Sequence, residues 1–405
     1  MSTKFRIFAT LGLLLAQYLA LGVLSAEAIT YYVRKTGNDG SSGTSSASAF
    51  LTIGAAASRM VAGDAVWIGA GTYSEQVTCA NSGNAASVIS YLGDITGAQT
   101  GDTGSVIISN GGIPFNGNGH SYININGIST SGGNPGMSFV GGSNIALQYC
   151  DISGANNGMI IDHATLTMSN CASHNNSGQG AYVVGGANVS ATACNFYSNT
   201  AYGIYVGPSG SPSVTVDRTL MNSNTSGGIS VTNGNVVASN CIIYDSWDGV
   251  DIWDGYAGYA GGSLTLDNCV VADSHDDGTW INKGTFTMMN TIVAFNHSWG
   301  INVAGGTCNH TFNAFWSDGY GLYNATVGNT GEILADPSFV NEPAHDFHLN
   351  DASPCIDVGT TISSVLVDYS NKARPHGASY DIGPYEAGAT TTSSGVRIKK
   401  WVEIQ

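Results

Sequence analysis

The sequence predicts an all-β solenoid, in which short strands stack coil upon coil around one core. A glycine that opens an apolar stretch recurs through the middle of the chain, most often after about 22 residues. These repeat glycines are Gly136, Gly158, Gly180, Gly203, Gly228, Gly249, Gly278, Gly300 and Gly321. Each unit holds two short alternating runs separated by turn residues, and such strands cannot bury a face alone. Stacked on their neighbours they form a continuous core, which is typical of a β-solenoid.

A recurring cysteine supports the same stacking. Five cysteines fall eight or nine residues before the next repeat glycine, and Thr219 and Thr291 hold that position in two other units. The five are Cys150, Cys171, Cys194, Cys241 and Cys269. One small residue per coil predicts a buried ladder of thiols, and no C-x-x-C pair indicates a metal site or a disulfide framework. The pattern leaves open whether Cys79, Cys308 and Cys355 are bridged.

Composition excludes several classes of protein. The 405 residues include 55 glycines, about twice the usual share, and only 10% are charged. So few charges leave little for the solvent face of long amphipathic helices or coiled coils. The formal net charge is −16, whereas a nucleic-acid-binding protein needs a basic stripe to neutralise phosphates. We therefore expect no nucleic-acid partner.

The chain divides into five predicted segments. They are a signal peptide at 1–28, an N-terminal cap at 29–75, the β-helix at 76–334, a C-terminal cap region at 335–388 and a tail at 389–405. The first segment has a basic start, an apolar run and the A-x-A pattern of a cleavage site. No other stretch is long and apolar enough to span a bilayer. We expect a secreted or cell-surface protein that is free of the membrane after cleavage, with an uncleaved anchor as the alternative.

The N-terminal cap has its own predicted elements. A strand over 31–33 comes first, and an Ala-rich helix follows from Thr52 to Val61 with Thr52 as its N-cap. A second strand over 65–68 then leads into the coils. A solenoid needs its open ends covered, and a short amphipathic helix is suited to that.

Two parts of the chain resemble a known family. The segment 31–75 resembles the entry segment of right-handed parallel β-helix proteins of the pectate-lyase-like superfamily. The end, with Asp336-Pro337, Arg374-Pro375 and the run D-I-G-P-Y-E at 381–386, resembles the C-terminal region of bacterial secreted and surface β-helix proteins. The resemblance implies a single-stranded right-handed parallel β-helix with an N-terminal helix cap and a C-terminal cap. It leaves the function open, because the superfamily holds lyases, hydrolases, epimerases and non-catalytic adhesins.

Aromatic and acidic residues concentrate between residues 244 and 323. Five of the seven tryptophans lie there, and the coil opened by Gly249 is the longest, so its excess residues are predicted to protrude as a lip. Sugar rings stack on aromatic faces and their hydroxyls donate to carboxylates, although each tryptophan could instead be ordinary packing. The predicted substrate-binding residues are Trp247, Asp251, Trp253, Tyr256, Trp280, Trp299 and Trp316.

Three carboxylates in this region are candidates for catalysis. Asp248 and Asp277 stand at the same position relative to the repeat glycine on successive coils, with Asp276 beside them. Carboxylates so close repel one another, which raises the pKa of at least one and makes it a proton donor. A proton donor and an ionised partner are the pair that glycoside hydrolysis requires.

The acids also resemble those of polygalacturonases. The run D-G-V-D at 248–251 resembles that family's N-T-D-G-x-D segment, and Asp276-Asp277 its paired aspartates. The resemblance implies that Asp277 is the general acid and that Asp248 and Asp276 activate water. His297 lies two or three residues before the expected place of the family's G-H-G histidine, and the family's R-I-K is missing from the following coils. Without these basic residues the substrate need not be pectic.

A lyase reading needs a base and a counter-charge for a uronate. Lys283 alone is basic near the acids, so a Ca²⁺ held by Asp248, Asp251, Asp276 and Asp277 would have to substitute. No sequence motif of a metal site supports that ion, so no cofactor is required and Ca²⁺ is only an alternative.

Two functions follow from the sequence. The first is a polysaccharide hydrolase, with a lyase as the weaker variant, working at Asp248, Asp276, Asp277 and His297. The second is a non-catalytic surface adhesin or glycan-binding protein that uses the same aromatic face. In both cases the expected partner is a polysaccharide or cell-surface glycan, and the protein is expected to be a monomer.

Overall fold

The computed structural model describes residues 27–253, 261–324 and 330–388. Three parallel sheets wind around one core as a right-handed β-helix with about 22 residues per coil, which confirms the predicted fold class. The predicted signal peptide, except for its last two residues, and the tail lie outside the described residues. Among the described helices, none is long and apolar enough to cross a membrane.

Each coil contributes one strand to each sheet in turn. Sheet A contains Thr30–Val33, Ala65–Ile68, Ile89–Gly93, Ile123–Asn126, Ile145–Gln148, Thr165–Ser169, Asn188–Thr192, Ser213–Asp217, Asn235–Ser239, Ser263–Asp267, Thr285–Met289 and Thr307–Thr311. Sheet B contains Gly71–Tyr73, Val106–Ser109, Ile128–Ser131, Asp151–Ser153, Ala172–His174, Asn195–Tyr197, Leu220–Asn222, Ile242–Tyr244, Val270–Ala272, Ile292–Ala294 and Ala314–Trp316. Sheet C contains Val77–Thr78, Phe115–Asn116, Met137–Val140, Met159–Asp162, Ala181–Val184, Tyr202–Val206, Gly227–Val231, Asp248–Ile252, Thr279–Ile281, Trp299–Val303 and Gly321–Tyr323.

The repeat glycines form a column at the corner between sheets B and C. A Cβ added at Gly180 would lie 2.6 Å from the carbonyl oxygen of Gly203, and one at Gly203 would lie 2.8 Å from that of Gly228. The same close approach recurs from Gly136 to Gly278. Only glycine fits there, because real Cβ atoms do not come within 3.0 Å of a backbone oxygen. The recurring glycine seen in the sequence is thus a steric requirement of stacking.

Two ladders of side chains satisfy buried polar groups along the stack. Asparagines at the corner between sheets B and C bond from coil to coil, with the Asn176 and Asn199 amides each donating to the next asparagine at 2.9 Å. The predicted cysteine ladder is confirmed: Thr219 accepts a hydrogen bond from the Cys194 amide at 3.3 Å and Thr291 one from the Cys269 amide at 3.1 Å. All eight cysteines are buried and free.

The N-terminal cap contains the predicted helix in a shorter form. Helix α1 covers Ile53–Ala57, whereas the sequence suggested a helix as far as Val61. The Thr52 hydroxyl accepts from the Ala55 amide, and the Glu75 carboxylate accepts from the amides of Ile53 and Gly54 at 2.9 Å. The free amides of the first turn are therefore satisfied. The buried face of the helix covers the open end of the core.

The segment 335–388 lies along the side of the helix. A hairpin of Phe339–Asn341 and Asp346–Leu349, joined by the 3₁₀ turn Glu342–Ala344, packs its apolar side chains on the outer face of sheet B around Ile242 and Val270. Farther along, the buried Arg374 donates to the Asn240 side chain at 3.2 Å and to the Gly383 carbonyl at 2.9 Å, beside Glu386. Sheet B is thereby covered over these coils, and this segment does not cover sheet C.

Replacing one glycine of the column tests the stacking constraint. We expect Gly180→Ala to destabilise the protein by about 1–3 kcal/mol, because its methyl group would overlap the Gly203 carbonyl and force the coils apart. Gly111→Ala is the matched control, since nothing lies within 4 Å of an added Cβ there. Thermal unfolding by circular dichroism measures both variants. Equal melting temperatures would contradict the steric account.

Candidate functional site

The predicted acids lie on the outer face of sheet C, where three rows of side chains run along the stack. The first row, one residue before each repeat glycine, contains Tyr202, Gly227, Asp248, Asp277 and Trp299. The second row, two residues after each repeat glycine, contains Tyr182, Tyr205, Ser230, Asp251, Trp280 and Asn302. The third row, two residues farther on, contains Thr232, Trp253 and Asn282. We call this surface the sheet C face.

Asp248 is the half-buried carboxyl group of the first row. Burial, followed by the charges of Asp251, Asp277 and Asp276, raises its pKa to about 8. The Asp277 amide donates to its Oδ1 at 3.2 Å, which opposes the rise without cancelling it. Asp248 therefore carries its proton at neutral pH while remaining within reach of solvent.

Asp277 occupies the same row on the next coil and is held differently. Its Oδ1 accepts from the Trp299 amide at 2.9 Å and its Oδ2 from the Asn302 side chain at 2.6 Å. Its side chain is buried, with the residue only 4% exposed. Two donors fix the orientation of this carboxylate. Asp276 beside it is half-buried and joins the stack through its backbone, bonding Trp247 and Ser298.

Asp251 lies in the second row and is 1% exposed. Burial raises its pKa to about 7, against hydrogen bonds from the Ser230 and Tyr202 hydroxyls that lower it. Its Oδ1 has no hydrogen-bond partner among the described residues. Asp251 is therefore a buried acid behind Asp248, and it contributes to the raised pKa of that group.

Aromatic side chains border these acids on the sheet C face. The Trp253 indole donates to the Ser230 hydroxyl at 3.1 Å. Trp280 follows Asp251 along the second row, and the Trp299 ring stands edge-on to Tyr320 with centroids 6.1 Å apart. Trp247, one residue before Asp248, is 54% exposed. The structure thus places four of the predicted tryptophans around the carboxylates.

Other predicted residues are not brought to this face. Trp316 lies in the last strand of sheet B, because the coil turns the corner between residues 316 and 321. His297 is exposed on that corner, where its Nδ1 contacts the Ser274 carbonyl at 2.8 Å and its charge acts to lower the pKa of Asp273. Tyr256 and the rest of the predicted lip lie outside the described residues.

The four aspartates suggested for Ca²⁺ do not form a ligand set. Within residues 27–253, 261–324 and 330–388, no three His, Cys, Asp or Glu side chains are grouped as they would be around a metal ion. Asp277 has both oxygens engaged by protein donors and Asp251 is buried behind the row.

Sequence reasoning missed five side chains in the first two rows of the face, and Thr232 and Asn282 in the third. Tyr182, Tyr205, Ser230 and Asn302 all stand two residues after a repeat glycine, and Tyr202 stands one residue before one. The same offsets identify Asp248, Asp277, Asp251 and Trp280. Reading every coil at these two offsets would have found the first two rows of the face, whereas reading only the cluster of acids and tryptophans did not.

Comparison with protein families gives a match over most of the β-helix. Residues 93–211 and 182–333 match the family described as "Right handed beta helix region", and together they cover more than half of the chain. None of the curated proteins compared with the chain matches it.

Solved structures of the same architecture cover nearly the whole chain. A pectate lyase, Pel9A, superposes with a TM-score of 0.59 at 15% identity, covering 88% of this chain and 96% of the lyase. XylC, solved in complex with xylose, superposes with a TM-score of 0.60 at 10% identity, covering 89% of this chain and 98% of XylC. At these identities the likeness shows the fold alone.

The raised carboxyl pKa values predict how stability changes with pH. The unfolded chain releases the protons of Asp251 and Asp248 near pH 4, whereas the folded chain keeps them up to about 7 and about 8. The two protonated carboxyl groups therefore contribute their full stabilisation below about pH 4. This stabilisation is lost as pH rises through the window, by at most about 1.4 kcal/mol of unfolding free energy per pH unit for each group. We expect the melting temperature to fall between pH 5 and pH 8.

Asp251→Asn tests the assignment, because asparagine is a neutral isostere. Thermal melts of this variant at pH 5 and pH 8 should show a smaller decrease than the wild type. Asp162→Asn, which removes a partly exposed carboxylate from the same sheet, should keep the wild-type decrease. An unchanged pH dependence in Asp251→Asn would contradict a buried, protonated Asp251.

Proposed function

This chain belongs to the right-handed β-helix family, and we propose that it is a secreted polysaccharide-active enzyme, a glycoside hydrolase working on the sheet C face. The observation that carries the proposal is the pair in the first row: a carboxyl group that keeps its proton at neutral pH and a fixed carboxylate on the next coil. Hydrolysis of a glycosidic bond requires a proton donor and an ionised partner. Export by residues 1–28 is part of the proposal.

Asp248 is proposed as the proton donor. It is half-buried, and its pKa of about 8 leaves it protonated at neutral pH. As the bond between the anomeric carbon and the leaving oxygen breaks, Asp248 gives its proton to that oxygen and becomes a carboxylate. This exchanges the roles implied by the resemblance to polygalacturonases, in which Asp277 would be the acid.

Asp276 and Asp277 are proposed to serve the attacking water. Asp276 is half-buried beside Asp248 and is the one placed to accept a proton from water. Asp277 is more deeply buried, and its two hydrogen bonds hold it against the Trp299 backbone and Asn302. We assign it to positioning the water and to keeping the proton on Asp248 through its negative charge.

Hydrolysis is favoured over elimination by the charge of the chain in this region. Between residues 93 and 333 the only lysine or arginine residues are Arg218 and Lys283. Arg218 lies at the corner between sheets A and B, where it donates to Asp217 and Asn371. A lyase that acts on a uronate needs a base and a counter-charge for the sugar carboxylate, and a protonated Asp248 supplies neither.

Removing the proton donor should abolish catalysis. We expect Asp248→Asn to reduce reducing-end release from a panel of neutral and acidic polysaccharides by at least about 100-fold. Asparagine keeps the shape of the side chain but has no acidic proton to donate. Asp151→Asn, which removes a partly exposed carboxylate from sheet B, is the matched control and should keep wild-type activity. Retained activity in Asp248→Asn with activity lost in Asp277→Asn would return the acid role to Asp277.

The pH profile gives an independent check. A general acid must be protonated, so the rate should fall as pH rises above about 8. If wild-type protein releases no reducing ends but is retarded in gels that contain a glycan, the non-catalytic binding function is correct and the hydrolase is rejected. The aromatic side chains around Asp248 serve either function.

A further inference from the structure

Three tyrosines form a stack on the sheet C face, on the coils that precede the acids. The rings of Tyr182 and Tyr205 lie 5.4 Å apart and are nearly parallel, and Tyr202 stacks on Tyr205 at 5.8 Å. All three are half-buried, so part of each ring faces solvent. The stack is separate from the carboxyl pair of Asp248 and Asp277. Its Tyr202 hydroxyl donates a hydrogen bond to Asp251.

Aromatic rings also follow the acids. Trp280 is the next member of the second row after Asp251, and Trp299 occupies the first row one coil later. The face thus presents rings on both sides of Asp248. Adjacent coils are about 4.8 Å apart, so the four steps from Tyr182 to Trp280 along the second row cover about 19 Å.

The titratable side chains of this face are mostly acids. Asp162, Asp248, Asp276 and Asp277 belong to the strands of sheet C or the corner beside them, and Lys283 is the one lysine or arginine near them in the sequence. A polymer with a carboxylate on every sugar would meet these acids with almost no counter-charge. Uncharged sugar hydroxyls, in contrast, donate to carboxylates and accept from Asn and Tyr side chains.

We infer that the sheet C face binds an uncharged polysaccharide laid along the axis of the β-helix, with sugars in contact with the outward edges of the Tyr182 and Tyr205 rings before the acids and with Trp280 after them. The position of the cleaved bond at Asp248 rests on the proposed function, whereas the binding of the polymer does not. One coil spacing is close to the length of one pyranose unit. Tyr205 and Tyr182 therefore contact sugars about two and three units from the bond that is cleaved.

The charge of the ligand is tested with pairs of polymers that share a backbone. Purified Asp248→Asn protein is run in native gels that contain hydroxyethyl cellulose or carboxymethyl cellulose, and methyl-esterified or de-esterified homogalacturonan, with arabinoxylan as a further uncharged probe. We expect at least one uncharged polymer to retard the protein and its charged counterpart to retard it at least tenfold less. Equal or stronger retardation by a charged counterpart or by cationic chitosan, or no retardation by any uncharged polymer, would overturn the inference.

The stacking residues are tested with the uncharged polymer that binds. Tyr182→Ala and Tyr205→Ala should each weaken binding about tenfold, the size expected for loss of one ring contact, and Tyr205→Phe should restore most of it. Tyr149→Ala is the control, because Tyr149 is exposed on another part of the surface. Its binding should equal that of the parent. Unchanged melting temperatures ensure that weaker binding does not reflect misfolding, and unchanged binding in both alanine variants would reject the stack as a subsite.

Chain length separates this inference from the proposed function. If wild type cleaves, Tyr182→Ala should slow cleavage of a hexasaccharide of the bound polymer about tenfold and leave that of a trisaccharide unchanged, since the shorter chain does not reach the ring. If wild type cleaves nothing while uncharged polymers bind through the tyrosines, the hydrolase fails and the inference stands. If wild type cleaves only charged polymers, the inference fails and the proposed hydrolase stands.

Discussion

The contact on which this molecule depends is the approach of each repeat glycine to the carbonyl of the next. At the corner between sheets B and C the coils come so close that a Cβ would lie 2.4 to 2.9 Å from the neighbouring carbonyl oxygen. This contact holds successive coils in one register. Residues at a fixed offset from the glycine consequently align into straight rows, and the alignment of Asp248 with Asp277 follows from it.

Polar ladders next to the column make this close stacking tolerable. A buried amide or carbonyl without a partner is costly, and the corner leaves backbone groups that the sheets do not pair. Asn176 and Asn199 fill that need by donating to the asparagine of the coil that follows them. Asn224 accepts from Asn199 and donates to the Phe196 carbonyl, and farther along Asp318 accepts from Asn296. The first row of the sheet C face begins only a few residues after these asparagines.

The two sides of the helix have different surroundings, and this is why we propose the site on sheet C. Sheet B is covered by the segment 335–388, whose aromatic and aliphatic side chains pack on Ile242 and Val270. On the outer face of sheet C, Asp248 is half-buried, so it is shielded enough for its pKa to shift and open enough to be reached. Burial contributes most to the raised pKa of Asp248, and the neighbouring carboxylates add to it because they lie in the same rows.

The sequence by itself determined the repeat, the helix after Thr52, the cysteine ladder with its two threonines, and the pairing of Asp248 with Asp277, because each depends on spacing along the chain. Only the tertiary structure decided which side chains share a face. Trp299 and Trp316 both belong to the same aromatic cluster in the sequence. Trp316 precedes the corner of its coil and lies in sheet B, whereas Trp299 follows the corner of its coil and lies in sheet C. Tyr182 and Tyr205 were missed although they stand at the same offset as Asp251 and Trp280. Burial, which sets the protonation of Asp248 and the inaccessibility of Asp251, arises from neighbouring coils and from no local pattern.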